Sequence, residues 1–160
     1  MIKVKNPFGT IDDNQSYNCF GCSPSNDTGL HLQFWLDGNE LIAKWQPEKQ
    51  FEGWTGILHG GIQATLMDEA AAWVVFVLVK TAGLTTELST RYLKPVYLIN
   101  GTITIKATLL SVNRRVAHIA CTLEDGNGKL CATSKITYYC LPESIAREKY
   151  NYPGADAFIG

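Results

Sequence analysis

The sequence predicts an α+β domain in which a curved antiparallel sheet of about six strands wraps one long central helix. Three observations predict it. Residues 62–80, "IQATLMDEAAAWVVFVLVK", are too long for a strand and rich in helix-favouring alanine, leucine and methionine. That segment is apolar on nearly every side, so it belongs in an interior rather than on a surface. Most of the remaining chain reads as strands separated by short turns.

Taken in order, residues 1–28 are polar and turn-rich and are expected to form an N-terminal arm with at most a short helix. Residues 29–47 read as a hairpin: Leu30, Leu32, Phe34 and Leu36 alternate with more polar neighbours, "DGN" supplies the turn, and Leu41, Ala43 and Trp45 continue the second strand. Residues 47–61 form a glycine-rich loop that leads into the helix, and Gly83 is expected to stop it. Residues 85–96, 101–113, 115–125 and 129–141 then read as four strands in an antiparallel meander, followed by a polar tail from Pro142. A sheet covers such a helix on one side only. The chain has little left for the other side, so a second subunit is expected to complete the cover.

The chain has 160 residues, 46% apolar and 18% charged, which suits one folded domain over residues 1–160 with arm 1–28 and tail 142–160. A net charge of −1 argues against a nucleic-acid binder. The longest uninterrupted apolar run, residues 70–79, is half of what a membrane span needs, and the N-terminus has no apolar export core. A cytoplasmic protein with reduced thiols is expected. Cys19 and Cys22 form a CxxC in a Ser/Asn/Asp/Gly-rich loop with no second ligand pair in sequence, which reads as a structural loop; no metal and no cofactor are expected.

The unusual feature is "GILHGGIQATLMDEAAAW": His-Gly-Gly opens the helix, and the carboxylates Asp68 and Glu69 interrupt its apolar run. This segment resembles the acyl-CoA thioesterases of the hotdog fold, in the branch typified by the phenylacetate-pathway thioesterase. The matching pieces are "CFGCSPSNDTGLHLQF" (19–34), "FEGWTGILHGGIQATLMDEA" (51–70) and "STRYLKPV" (89–96), and the likeness covers residues 19–141. The resemblance implies that the Gly60 backbone N–H polarises a thioester carbonyl and that Asp68 is general base or nucleophile. It also implies a homodimer or a dimer of dimers acting on an acyl-CoA. Some members carry Asn before the His-Gly; here "EGWTGIL" has neither Asn nor Gln.

The residues support the same chemistry independently. Free N–H groups at a helix start point outward and carry the positive end of the helix dipole, which suits a developing oxyanion. Asp68 lies eight residues beyond Gly60, about 12 Å along the axis at 1.5 Å per residue. One carbonyl carbon cannot touch both, so the two must meet from different chains, across antiparallel helices. Ala64, Thr65, Ala71 and Ala72 surround Asp68 at helical spacing and are small enough to leave room for a ligand. Glu69 ranks second as the acid. Gly61 is a further oxyanion candidate, and His59 a candidate for orienting the loop. Thr65 and Trp54 are candidate substrate contacts, with Phe51 and Trp73 as further pocket aromatics. Lys94, Arg114 and Arg115 are candidates for the phosphates of coenzyme A. Two other readings remain open: an acyl-thioester hydratase or dehydratase using His59 with a carboxylate, and a non-catalytic acyl-CoA binding protein.

Overall fold

The computed structural model describes residues 1–10 and 17–160; residues 11–16 of the expected arm lie outside the described residues. Seven strands form one antiparallel sheet. They are β1 (Ile2–Val4), β2 (Gln33–Asp37), β3 (Glu40–Trp45), β4 (Gly83–Tyr92), β5 (Ile103–Asn113), β6 (Val116–Glu124) and β7 (Leu130–Cys140), in the order β1-β2-β3-β5-β6-β7-β4. Helix α1 (Gly60–Val74) continues as one π-helical stretch, Val75–Val79, and packs on the concave face. A second helix, α2 (Glu143–Tyr150), follows β7.

The hairpin β2–β3 forms as its alternation predicts. Phe34 pairs with Ala43, Gly38 takes the left-handed conformation at φ +59°, and Leu30, Leu32, Phe34, Leu41, Ala43 and Trp45 are all buried. β5–β6–β7 is the expected meander, with Arg114 and Arg115 as the two-residue turn between Asn113 and Val116. Three expectations need correction. β4 does not precede β5 in the sheet: it pairs with β7 at the far edge, and β5 takes the free edge of β3. The connection after β4 runs past the helix entrance, where Leu58 N–H donates to Val96 O and Ile57 bridges Tyr97, and this carries the chain to the opposite side of the sheet. The helix stop is not Gly83, which is the first residue of β4; the chain turns at Lys80, in the left-handed conformation with φ 65°. The arm is not limited to helix and loop, because Ile2–Val4 adds a seventh strand on the edge of β2.

The tail is also part of the core. Tyr152 and Phe158 are buried in an aromatic cluster with Phe8, Trp73 and Phe76. Trp73 stacks on Phe34 with ring centroids 4.3 Å apart, so this cluster seals one flank of the helix to the hairpin. By length and composition the helical segment Gly60–Val79 could cross a membrane. Here it is a core helix, with Leu66, Met67, Ala70, Ala71, Trp73 and Val74 buried.

One stripe of the helix is left open: Gly61 is exposed, and Ala64, Thr65, Asp68 and Ala72 are half-buried. Phe158→Ala should cost about 3–5 kcal/mol in urea unfolding, as for other large aromatic deletions from a core. Truncating the exposed Tyr150 should cost no more than about 0.5 kcal/mol. Equal effects would show that the tail does not seal the helix.

Candidate active site

His59 caps α1. Its Nδ1 accepts a hydrogen bond from Gly61 N–H at 2.9 Å, and its backbone N–H donates to Phe51 O at 3.0 Å. Nδ1 is therefore unprotonated, and Gly61 N–H is already engaged. Gly60 N–H, the first of the helix, has no partner among the described residues. Tyr92 donates to Gly60 O at 2.6 Å and lays its ring against the glycine, where a Cβ would stand 3.4 Å from Tyr92 Cζ. Burial raises the Tyr92 phenol above its usual range, so it remains a donor.

Asp68 lies on the open stripe, two turns further along. Its Oδ1 accepts from Tyr138 Oη at 2.6 Å and from Thr85 Oγ1 at 3.0 Å. Tyr138 Oη also lies 2.7 Å from the Asp68 carbonyl oxygen. No described residue donates to Oδ2. The carboxylate is thus held by one oxygen and free at the other. Tyr138 is 2% exposed, and burial, followed by the Asp68 charge, raises its phenol well above the usual range, so it stays neutral. A register shift between Thr85 and Glu87 brings Thr85 onto the same face as Leu88, Thr90 and Tyr92.

Glu69 points elsewhere. Its Oε1 accepts from Trp73 Nε1 at 3.1 Å and from Cys19 Sγ at 3.4 Å, under the N-terminal loop. Burial raises its carboxyl to about 8. The Thr65 hydroxyl is turned back to Gly61 O at 2.9 Å. Trp54 is 84% exposed and lines a cavity of about 540 Å³ with Gly53, Ile57, Leu58, His59 and Gly60. Phe51 and Trp73 are core aromatics.

Lys94 is exposed just beyond Tyr92, at the Gly60 end of the sheet, whereas Arg114 and Arg115 lie at the opposite end, where Cys140 N–H donates to Arg115 O. One chain therefore brings Trp54, His59, Gly60 and Lys94 to one end and leaves Asp68 and the arginines away from it. Sequence reasoning passed over Tyr92, Thr85, Tyr138 and Gln63. For Tyr138 a signal existed, a tyrosine on the inward phase of a strand, which needs a buried hydrogen-bond partner. Gln63 is 4% exposed; its Nε2 donates to Leu58 O at 3.2 Å, and its Oε1 has no partner among the described residues. A buried amide oxygen of this kind suits an internal water beside the His-Gly-Gly entrance.

Comparison with known proteins sets this geometry in context. The fold matches a thioesterase of Haemophilus influenzae with a TM-score of 0.68 at 20% identity, over 75% of this chain and 85% of that one. It also matches a Streptococcus mutans protein solved with acetyl-CoA bound, with a TM-score of 0.64 at 19% identity, over 70% of this chain and 90% of the other. In sequence, residues 55–132 match the model of the thioesterase superfamily. The domain has the hotdog fold. A Saccharolobus solfataricus relative, provisionally named an esterase, is 33% identical over 90 residues, 56% of this chain. The match spans 59% of that relative's length. The superfamily segment holds the His-Gly-Gly cap, Asp68, Thr85 and Tyr92, while Tyr138 lies just outside it.

Tyr138→Phe leaves Oδ1 with Thr85 as its one donor. It should cost about 1 kcal/mol in urea unfolding without changing the fold. An unchanged midpoint would show that the phenol does not hold the carboxylate.

Proposed function

We propose that the protein is an acyl-CoA thioesterase, converting an acyl-CoA and water to a carboxylic acid and free CoA, in a homodimer with two equivalent sites. One observation carries this reading. A single helix presents an unpartnered N–H at Gly60 and, about 12 Å away, a carboxylate with one free oxygen at Asp68. Each is half of a thioester-hydrolysing site. An antiparallel second copy, seated on the open stripe, puts Asp68 of one helix opposite Gly60 of the other. The stripe is flanked by Leu88 and Tyr92, which face the helix side of the sheet yet are 40% and 50% exposed, as expected of an uncovered interface.

In this reading Asp68 Oδ2 takes a proton from water as it adds to the thioester carbon, or attacks that carbon directly to form a mixed anhydride that water then hydrolyses to the acid, restoring the carboxylate. The carbonyl oxygen gains charge facing Gly60 N–H, and collapse of the adduct expels the CoA thiolate, which takes up the proton. The cap at His59 fixes the helix entrance and consumes Gly61 N–H, so Gly60 is the oxyanion donor and Gly61 supports it. Tyr138 and Thr85 orient the base, and Glu69 takes no part in the hydrolysis. Trp54 and Lys94 flank the Gly60 half-site, and Arg114 and Arg115 can reach a shared site only from the second copy. The relative solved with acetyl-CoA has the same fold and accords with this substrate class. A cytoplasmic location accords with a CoA-ester substrate.

The test is thiol release from a panel of acyl-CoAs. Asp68→Asn should lower kcat at least about 100-fold, the usual scale for a general base; retention of the full rate would exclude the mechanism. A complementation experiment tests the shared site. Gly60→Val should block carbonyl approach, so each single variant is inactive. The mixed dimer of Gly60→Val with Asp68→Asn contains one intact site and should recover about half the wild-type rate per dimer, as one of two equivalent sites. No recovery in a verified mixed dimer would exclude an inter-subunit site.

A further inference from the structure

The CxxC loop, read from sequence as structural, meets the helix at a cluster that the hydrolytic site does not use. Ligand atoms of Cys19, Cys22 and Glu69 all lie within 4.8 Å of one another. Cys19 Sγ stands 3.4 Å from Glu69 Oε1. A tetrahedral zinc with Zn–S near ~2.3 Å and Zn–O near ~2.1 Å has S···O edges of roughly 3.5 Å and S···S edges of roughly 3.8 Å. The cluster is therefore already close to the spacing of a metal site.

The third ligand was invisible in sequence because Glu69 lies 47 residues beyond Cys22. Only the packing of the loop against α1 supplies it. The loop is closed tightly over the carboxylate: Ser23 N–H donates to Cys19 O at 3.0 Å, and Leu32 N–H to Gly21 O at 2.9 Å. At Gly21 a Cβ would overlap the Glu69 carboxyl group, so the turn between the two cysteines lies directly on that carboxyl. No ion pair to Glu69 exists among the described residues. Two thiols and a carboxyl, three potential anions, are thus packed together, Cys22 buried and Cys19 and Glu69 half-buried, without a cation among the described residues. Such a group is held either by protons or by a metal.

We propose that Cys19, Cys22 and Glu69 bind a zinc ion that fastens the N-terminal loop to the central helix. Two sulfur donors and one carboxylate favour zinc over magnesium or calcium, which prefer all-oxygen sets. Binding replaces the protons the cluster holds: both cysteines coordinate as thiolates and Glu69 as a carboxylate, and each proton these groups carry in the metal-free protein is released. The Tyr17 hydroxyl, 3.1 Å from Cys22 Sγ, is on hand for the fourth position. Trp73 Nε1, donating to Glu69 Oε1, supports the carboxylate from behind. The ion would be held by the residue next to Asp68, on a helix face turned about 100° from the open stripe. Its effect is to order the loop and stabilise the fold. It takes no part in the hydrolysis, and the inference stands whether or not the protein is a thioesterase.

The full-length protein, purified without chelator, should contain about one zinc per chain by elemental analysis, as a single closed site requires. Replacement by Co²⁺ should give the near-ultraviolet thiolate-to-cobalt charge-transfer band and the visible bands of a tetrahedral site. Cys22→Ser should abolish both signals, Glu69→Gln should weaken zinc binding at least about tenfold, and Cys140→Ser should retain both. Zinc alone, added back to chelator-stripped wild type, should raise Tm. Three results would overturn the proposal: wild-type protein that takes up no stoichiometric zinc or cobalt, a Cys19–Cys22 disulfide as the stable form under reducing purification, or cobalt spectra unchanged in Cys22→Ser. The wild-type stoichiometry and spectrum decide the matter even if a variant fails to fold.

Discussion

A helix that is apolar on nearly every side has to be covered on every side, and the rest of this structure follows from how that is done. The concave sheet covers one flank through Met67, Ala70, Ala71 and Val74. The hairpin, the N-terminal segment and the C-terminal tail cover another, with Trp73 stacked on Phe34 and edge-on to Phe158. What remains is the narrow stripe from Gly61 to Ala72, built of small residues and one carboxylate. Burial of apolar surface drives the arrangement. The uncovered remainder is where a second copy and a ligand have reason to bind.

The carboxylate on that stripe depends on the sheet more than on the helix. Tyr138 and Thr85 come from β7 and β4, which are neighbours only because β4 crosses to the far edge of the sheet. The register shift beside Thr85 turns its hydroxyl inward, and further along the same strand Tyr92 reaches the carbonyl of Gly60. One edge strand thus touches the helix at both Asp68 and Gly60, so a change in its register would disturb both contacts together. Glu69, one residue from Asp68, faces about 100° away and is absorbed by the loop of Cys19 and Cys22. Neighbouring carboxylates on one helix have separate surroundings for that simple geometric reason.

Much of this was legible beforehand. The alternation of Leu30, Leu32, Phe34 and Leu36 located the first hairpin, and the strong helix formers located α1. The offset between Gly60 and Asp68 showed that one chain could not join them. The errors share a cause. The position of β4, the strand Ile2–Val4 and the burial of Tyr152 and Phe158 all depend on contacts between segments far apart in the chain, for which local periodicity carries no information. The tail looked polar because only two of its aromatics face inward.

The sequence by itself determined the first hairpin, the long helix and the eight-residue offset between Gly60 and Asp68 on it, because these rest on local propensity, spacing and backbone geometry. The tertiary structure decided which residues meet them: Tyr138 and Thr85 at Asp68, Tyr92 at Gly60, and Cys19 at the neighbouring Glu69. Those partners lie 17 to 70 residues away in sequence. The hydrogen bonds they make exist only after hydrophobic burial has folded the sheet around the helix.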